Sequence, residues 1–336
     1  MTEARYWKPA SEHRVDCYLC PRRCRIGEGQ MGFCSVRANR GGKLYSLVYG
    51  RPCAVNVDPV EKKPLFHFLP GTEILSIGTV GCNLDCRFCQ NASLSRGDPA
   101  SDRAASLSPA QVVQLALSRG CQSVAYTYNE PTVFAEYAED VAALARQNGL
   151  RNAFVTNGYV TPEALPGVYA NIDAANVDLK AFSEDFYRRW TQAELQPVLD
   201  TLVALHQRGV WIEITNLVIP TLNDFESESR RLCEWILENL GDRVPLHFTA
   251  FHPDHQLTDK PPTPQQTLTQ LRDLAREVGL KYVYVGNVHD DAGSSTYCPE
   301  CNELLVARSW HAVRQLHLAG DRCGHCGARA DFLVAP

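Results

Sequence analysis

Residues 73–89 read EILSIGTVGCNLDCRFC, an apolar run that leads through glycine into three closely spaced cysteines. The run suits a buried strand, and Gly81 lets the chain turn out of it into the loop carrying Cys82, Cys86 and Cys89. Three thiolates at C-x3-C-x2-C spacing can hold three irons of a 4Fe-4S cluster and leave the fourth iron open to a ligand. Zinc suits the triad less well, because it takes four protein ligands, or three plus water in a catalytic site.

Outward from this motif, short apolar runs alternate with helical stretches. Candidate strands are 73–80, 123–128, 152–156, 174–179, 210–218, 246–251 and 281–288, and amphipathic stretches begin near Ser108, Thr132, Thr161, Ser183, Asp224 and Thr263. That alternation implies parallel βαβ units. Six or seven units are too few for a closed eight-fold barrel. A partial (β/α)6 TIM-like barrel is therefore expected, with a doubly wound sheet as the alternative. Either way, ligands gather at the C-terminal ends of the strands. The core spans 73–290, between a Cys-rich segment 1–72 and a C-terminal segment 291–336.

Fourteen cysteines occur in 336 residues, and eleven fall in three tight groups. A disulfide scaffold would be short and secreted, whereas the N-terminus here is too polar for a secretory signal, so a cytoplasmic protein with metal sites is expected. Cys298-x2-Cys301 and Cys323-x2-Cys326 resemble a zinc ribbon, with a structural role expected. Cys17-x2-Cys20-x3-Cys24-x9-Cys34 is less regular, and zinc and a second iron–sulfur cluster both fit it. Cys121 and Cys233 read as core thiols. The net charge of −5 gives no case for a large nucleic-acid footprint, and no apolar run is long enough for a membrane span.

The central triad, with Phe88 before its third cysteine, resembles the radical S-adenosylmethionine (SAM) superfamily. That resemblance implies SAM bound at the open iron and cleaved after electron transfer to a 5′-deoxyadenosyl radical that abstracts hydrogen. A reductant such as flavodoxin or ferredoxin is implied with it. Where family members carry a Gly-Gly-Glu-Pro-like segment, this chain has Tyr128-Asn129-Glu130-Pro131, so Tyr128 and Asn129 replace the glycines while Glu130 keeps the acceptor for SAM's amino group. Thr156-Asn157-Gly158 and Asp178-Leu179-Lys180 resemble the pyruvate formate-lyase activating-enzyme branch. There Thr156 and Asp178, with the backbone near Asn176, would bind a monovalent cation beside SAM's carboxylate. Lys180 would meet that carboxylate or the substrate, with a local ion pair between Asp178 and Lys180 as the alternative. Asn216 to Val218 would line the adenosine, His252 would pack on the adenine, and Gln90 and Asn91 are candidates for polar contacts to SAM.

Taken with the outer cysteine groups, DPVEKKPLFHF (58–68) resembles the AmmeMemoRadiSam-system radical SAM enzymes, which implies association with Memo-like and Amme-like proteins. Lys62, Lys63 and His67 could face the substrate, or the two lysines could form a solvated turn. The leading expectation is a radical SAM enzyme acting on a partner protein. The alternatives are radical modification of a small molecule or RNA, and a non-catalytic metal-binding adaptor.

Overall fold

The computed structural model describes residues 1–101 and 104–334. An eight-stranded mixed sheet forms its centre. The strands are β1 (Ala54–Pro59), β2 (Glu73–Gly78), β3 (Ser123–Tyr126), β4 (Arg151–Thr156), β5 (Ala174–Asp178), β6 (Trp211–Val218), β7 (Leu246–Ala250) and β8 (Val283–Gly286). From β2 to β8 each strand runs parallel to its neighbour in chain order, and β1 pairs antiparallel to β2, with Val55 opposite Ile77. Consecutive order means that every right-handed crossover lands on the same face. The order never reverses, so the doubly wound alternative is excluded. The seven parallel strands answer to the seven candidate strands, one more than a (β/α)6 barrel has, and among the described residues β1 and β8 do not pair, so the sheet is open.

The helices α1 (Pro109–Ser118), α2 (Ala135–Gln147), α3 (Gln196–Gln207), α4 (Glu226–Leu240) and α5 (Gln265–Val278) cover the outer face. Ser108 caps α1 in a reciprocal capping box with Gln111. The stretch expected from Thr161 forms only a short turn at Leu165–Val168, whereas the one expected from Ser183 runs from Glu184–Phe186 through a π-helical turn at Tyr187–Thr191 and on to α3. Leu165-Pro166-Gly167 explains the first, since proline and glycine cannot sustain a helix interior.

β1 lies inside the segment 1–72, so that segment is continuous with the core sheet rather than a separate appendage. The chain after β1 then fills the inner face. Val60, Leu65, Phe68 and Leu69 pack on Ala125, Ala153 and Ala174, whose short side chains make the room. Glu213 accepts hydrogen bonds from the amides of Phe66 (2.9 Å) and His67 (2.8 Å), and Asn176 donates to the Pro64 carbonyl. The C-terminal segment closes over this plug. Arg308, itself buried, donates to the Phe66 carbonyl, and the amide of Leu333 donates to the His67 carbonyl. At the other end, a buried Arg37–Glu136 ion pair (2.8 Å) ties the N-terminal strands to α2.

His67 is therefore not a substrate-facing residue. It is fully buried, stacked on Phe332, with Nδ1 2.9 Å from the Asp331 carbonyl and Nε2 2.5 Å from the Tyr284 hydroxyl. Burial pushes its pKa down from 6.5 to about 4. The unfolded chain thus binds more protons between those values, and folding stability falls as pH drops through that window. The expected loss is about 3 kcal/mol by pH 4. Denaturant unfolding across pH 4–7 measures it, and His67→Gln should flatten the slope.

Candidate functional site

The loop after β2 opens at the C-terminal end of the sheet, and two glycines let it do so. A Cβ at Gly78 would lie 2.4 Å from the Thr127 carbonyl, and one at Gly81, whose φ is +96°, would lie 2.7 Å from the Cys34 carbonyl. Asn129 holds the loop in place. Its Oδ1 accepts from the Thr79 amide, and its Nδ2 donates to the carbonyls of Val80 and Gly81 (2.9 Å). The family's second glycine is thus replaced here by a side chain that clamps the loop before the triad.

Cys82, Cys86 and Cys89 line one cavity of about 450 Å³ with Gln90, Asn91, Glu130, Asn157, Asp178 and Lys180. Tyr128, Asn129 and Thr156 border it as well. The Leu84 amide and the Asn157 amide group approach the Cys82 sulfur (3.4 and 3.7 Å), and the Ser95 hydroxyl lies 3.2 Å from that of Cys89. Burial pushes the Cys82 thiol far up and the Cys86 thiol up to about 12, although Lys180 pulls Cys86 the other way. Buried thiols of this kind ionise readily only against a bound cation. The donor set fits a cluster with one open iron: three sulfurs face a polar cavity.

Glu130 is buried, which pushes its pKa up, and the Asn157 amide opposes that shift. Its Oε1 accepts from the Thr132 amide and the Thr156 hydroxyl, while Oε2 accepts, among the described residues, from the Asn157 amide alone (2.8 Å). Oε2 therefore keeps capacity for a further donor. Asp178 and Lys180 do form an ion pair (2.8 Å), but both also face the cavity. Burial opposes the Lys180 charge, yet Asp178 and the Cys86 sulfur outweigh it and hold the amine protonated.

Three expected contacts are not gathered here. Asn216 donates to the Leu179 carbonyl, and the Val218 carbonyl accepts from the Thr263 hydroxyl. Both side chains are turned off the cavity, which Thr215 and Leu217 line instead. Side chains alternate along a strand, so only one parity faces inward. His252 is exposed and does not line the cavity, where Thr249 and Asn287 do. Lys62 and Lys63 do reach it, both bound to Asp58 (2.8 and 2.7 Å), which also accepts from the Tyr128 hydroxyl. Lys63 is buried and Lys62 is exposed, so only Lys62 fits a solvated turn. His311, from the C-terminal hairpin, is the further arrival. Burial, then Lys62 and Lys63, lower its pKa, so it enters the site neutral near pH 7.

In the C-terminal segment, Cys298 and Cys326 lie 3.7 Å apart, and Cys301 and Cys323 3.8 Å. All four sulfurs fall within 4.8 Å of one another. A tetrahedral ion with metal–sulfur bonds of about 2.3 Å separates its ligands by about 3.8 Å, so the group can hold one metal ion. Amides of Cys326 and His325 donate to the Cys323 sulfur and draw its thiol down to about 6. Cys17, Cys20, Cys24 and Cys34 converge separately on an apolar void bordered by Arg22, Arg37 and Asn83. Among the described residues, no helix is long and apolar enough to cross a membrane.

The family model described as the radical SAM superfamily matches residues 76–233. Over 336 residues the chain is 41% identical to uncharacterized protein MJ0808 of Methanocaldococcus jannaschii, covering 99% of this chain and 100% of that protein. It is 27% identical to the mitochondrial GTP 3′,8-cyclase of Arabidopsis thaliana, over 65% of this chain and 57% of the cyclase. It is 22% identical to the pyruvate formate-lyase-activating enzyme of Clostridium pasteurianum, over 51% of this chain and 72% of that enzyme. A triad of cysteines at the head of a parallel βα array, matched through the strands that surround it, means that this chain belongs to the radical SAM superfamily.

Proposed function

We propose that the chain is an activating-enzyme-like oxidoreductase that cleaves SAM at a 4Fe-4S cluster held by Cys82, Cys86 and Cys89, and abstracts hydrogen from a partner protein. The carrying observation is the three sulfurs facing a cavity of about 450 Å³ at the strand ends. When bound, the cluster and SAM together supply a 5′-deoxyadenosyl radical, the electron coming from a reductant such as flavodoxin or ferredoxin. The chain's own residues orient the ligand. Glu130 Oε2 offers an acceptor to an ammonium, and Lys180 a cation to a carboxylate. Asp178 and Thr156 are the candidates for a monovalent cation site, and Gln90 and Asn91 for further polar contacts. His252, exposed here, would have to fold inward to reach an adenine.

The likeness to a pyruvate formate-lyase-activating enzyme favours a protein substrate. Memo-like and Amme-like proteins are the partners to test first. Anaerobic reconstitution, dithionite reduction and assay of 5′-deoxyadenosine test the reaction. A chain with a full cluster that leaves SAM intact would favour a metal-binding adaptor. Deuterium carried into 5′-deoxyadenosine from a labelled partner identifies the substrate.

In this reading the C-terminal cysteines hold structural zinc. Cys301→Ala should remove one divalent ion per chain and lower the melting temperature, leaving the central iron unchanged. Metal analysis and thermal unfolding check this. Unchanged melting with lost activity would assign that metal a functional role instead.

A further inference from the structure

We propose that Cys17, Cys20, Cys24 and Cys34 hold a second iron–sulfur cluster, seated directly against the loop that carries Cys82. The four thiols border one void walled by apolar side chains such as Leu19, Ile26 and Val133. They are not drawn together as the C-terminal four are. Among the described residues, that C-terminal group alone is close enough for a single ion. A cubane places irons and sulfides between its ligands and so holds the thiolates farther apart than one tetrahedral ion does.

Two orphaned donors point the same way. Arg37 is 2% exposed, and its Nε is buried with no hydrogen-bond partner among the described residues, although its Nη1 meets Glu136. Arg22 Nη2 is likewise buried and unpartnered. Both side chains border the void. A buried N–H without an acceptor is costly, so an acceptor belongs there. The sulfides of a cluster accept hydrogen bonds, and the two guanidinium groups offset its negative charge.

The void also touches the central loop. Asn83, the residue after Cys82, borders it, and Arg22 Nε donates to the Asn83 carbonyl (2.9 Å). A Cβ at Gly81 would lie 2.7 Å from the Cys34 carbonyl, so no side chain separates the two loops there. A cluster so placed takes one electron from an external low-potential donor and yields it unchanged, with no bond made or broken. Only this use of the cluster rests on the SAM-cleaving reading.

The test uses the full chain with Cys82→Ala, Cys86→Ala and Cys89→Ala combined, reconstituted without oxygen in iron and sulfide. It should hold about four irons and four sulfides, and show an EPR signal on reduction. Adding Cys20→Ala and Cys24→Ala together, which leaves two thiolates at this site, should abolish both. Cys20→Ala with Cys24→Ala in an otherwise unmodified chain should keep about four irons at the centre, which shows that the chain still folds. The unmodified chain should carry about eight irons, and its reduced spectrum should show spin–spin interaction that neither variant shows. A triple variant that binds no iron, or binds zinc at these cysteines, overturns the second cluster, and a wild-type spectrum without interaction overturns the contact. If the eight-iron chain leaves SAM intact, the proposed function falls while the second cluster stands. If a four-iron chain cleaves SAM and the triple variant is iron-free, the reverse holds.

Discussion

Anaerobically reconstituted Cys86→Ala protein is expected to lose about four irons per chain and to cleave SAM below detection. Cys86 sits in the middle of the triad, packed beside Phe88 and near Lys180. The two remaining thiols cannot secure a cubane, and an alanine offers no donor. The second effect follows from the first, because without the cluster nothing delivers an electron to the sulfonium. Cys121→Ala is the matched control. That thiol is buried in the core, away from the cavity, so the variant should lose about 1 kcal/mol of stability and keep its iron. Iron and sulfide analysis beside a 5′-deoxyadenosine assay reads both variants. Normal turnover by Cys86→Ala would end the assignment of the central site.

The largest expected stability effect belongs to Glu213→Ala. Glu213 is fully buried on β6 and serves four donors: the amides of Phe66 and His67, Trp211 Nε1 (3.2 Å) and His247 Nε2 (2.8 Å). Burial alone would raise its pKa, but His247 and the plug amides more than compensate, so it stays charged and lies below the usual carboxylate range. Alanine leaves those donors buried and unpaired. The expected cost is about 3–5 kcal/mol, measured by denaturant unfolding. Glu213→Gln keeps one acceptor oxygen and should lose less. A cost under about 1 kcal/mol for alanine would mean that the plug is held by apolar packing instead.

The two results would separate what the core needs from what the site needs. The plug borders the cavity through Lys62, Lys63 and Pro64, and its far end is locked by Arg308 and Leu333. A loosened plug should therefore disturb the C-terminal hairpin that brings His311 to the cavity.

Local chemistry in the chain was enough to locate the triad, the parallel βα alternation and the C-terminal cysteine pairs. Ligand spacing and apolar periodicity are written in neighbouring residues, and they act over one loop or one element. What only the tertiary structure decided depends on residues far apart in the chain. It chose a sheet wound one way over a doubly wound one, because strand order is a matter of which strands pair. It buried His67 against Phe332 and made the apolar residues around it a plug while leaving Lys62 and Lys63 at the cavity, because the alanines that admit the plug lie on three other strands. It set Thr215 and Leu217 in the cavity in place of Asn216 and Val218, since a one-residue difference in pleat reverses the face. It also carried His311 to the triad from more than two hundred residues away. No short-range pattern encodes such a meeting, because it arises only when separate elements bury their apolar faces against one another.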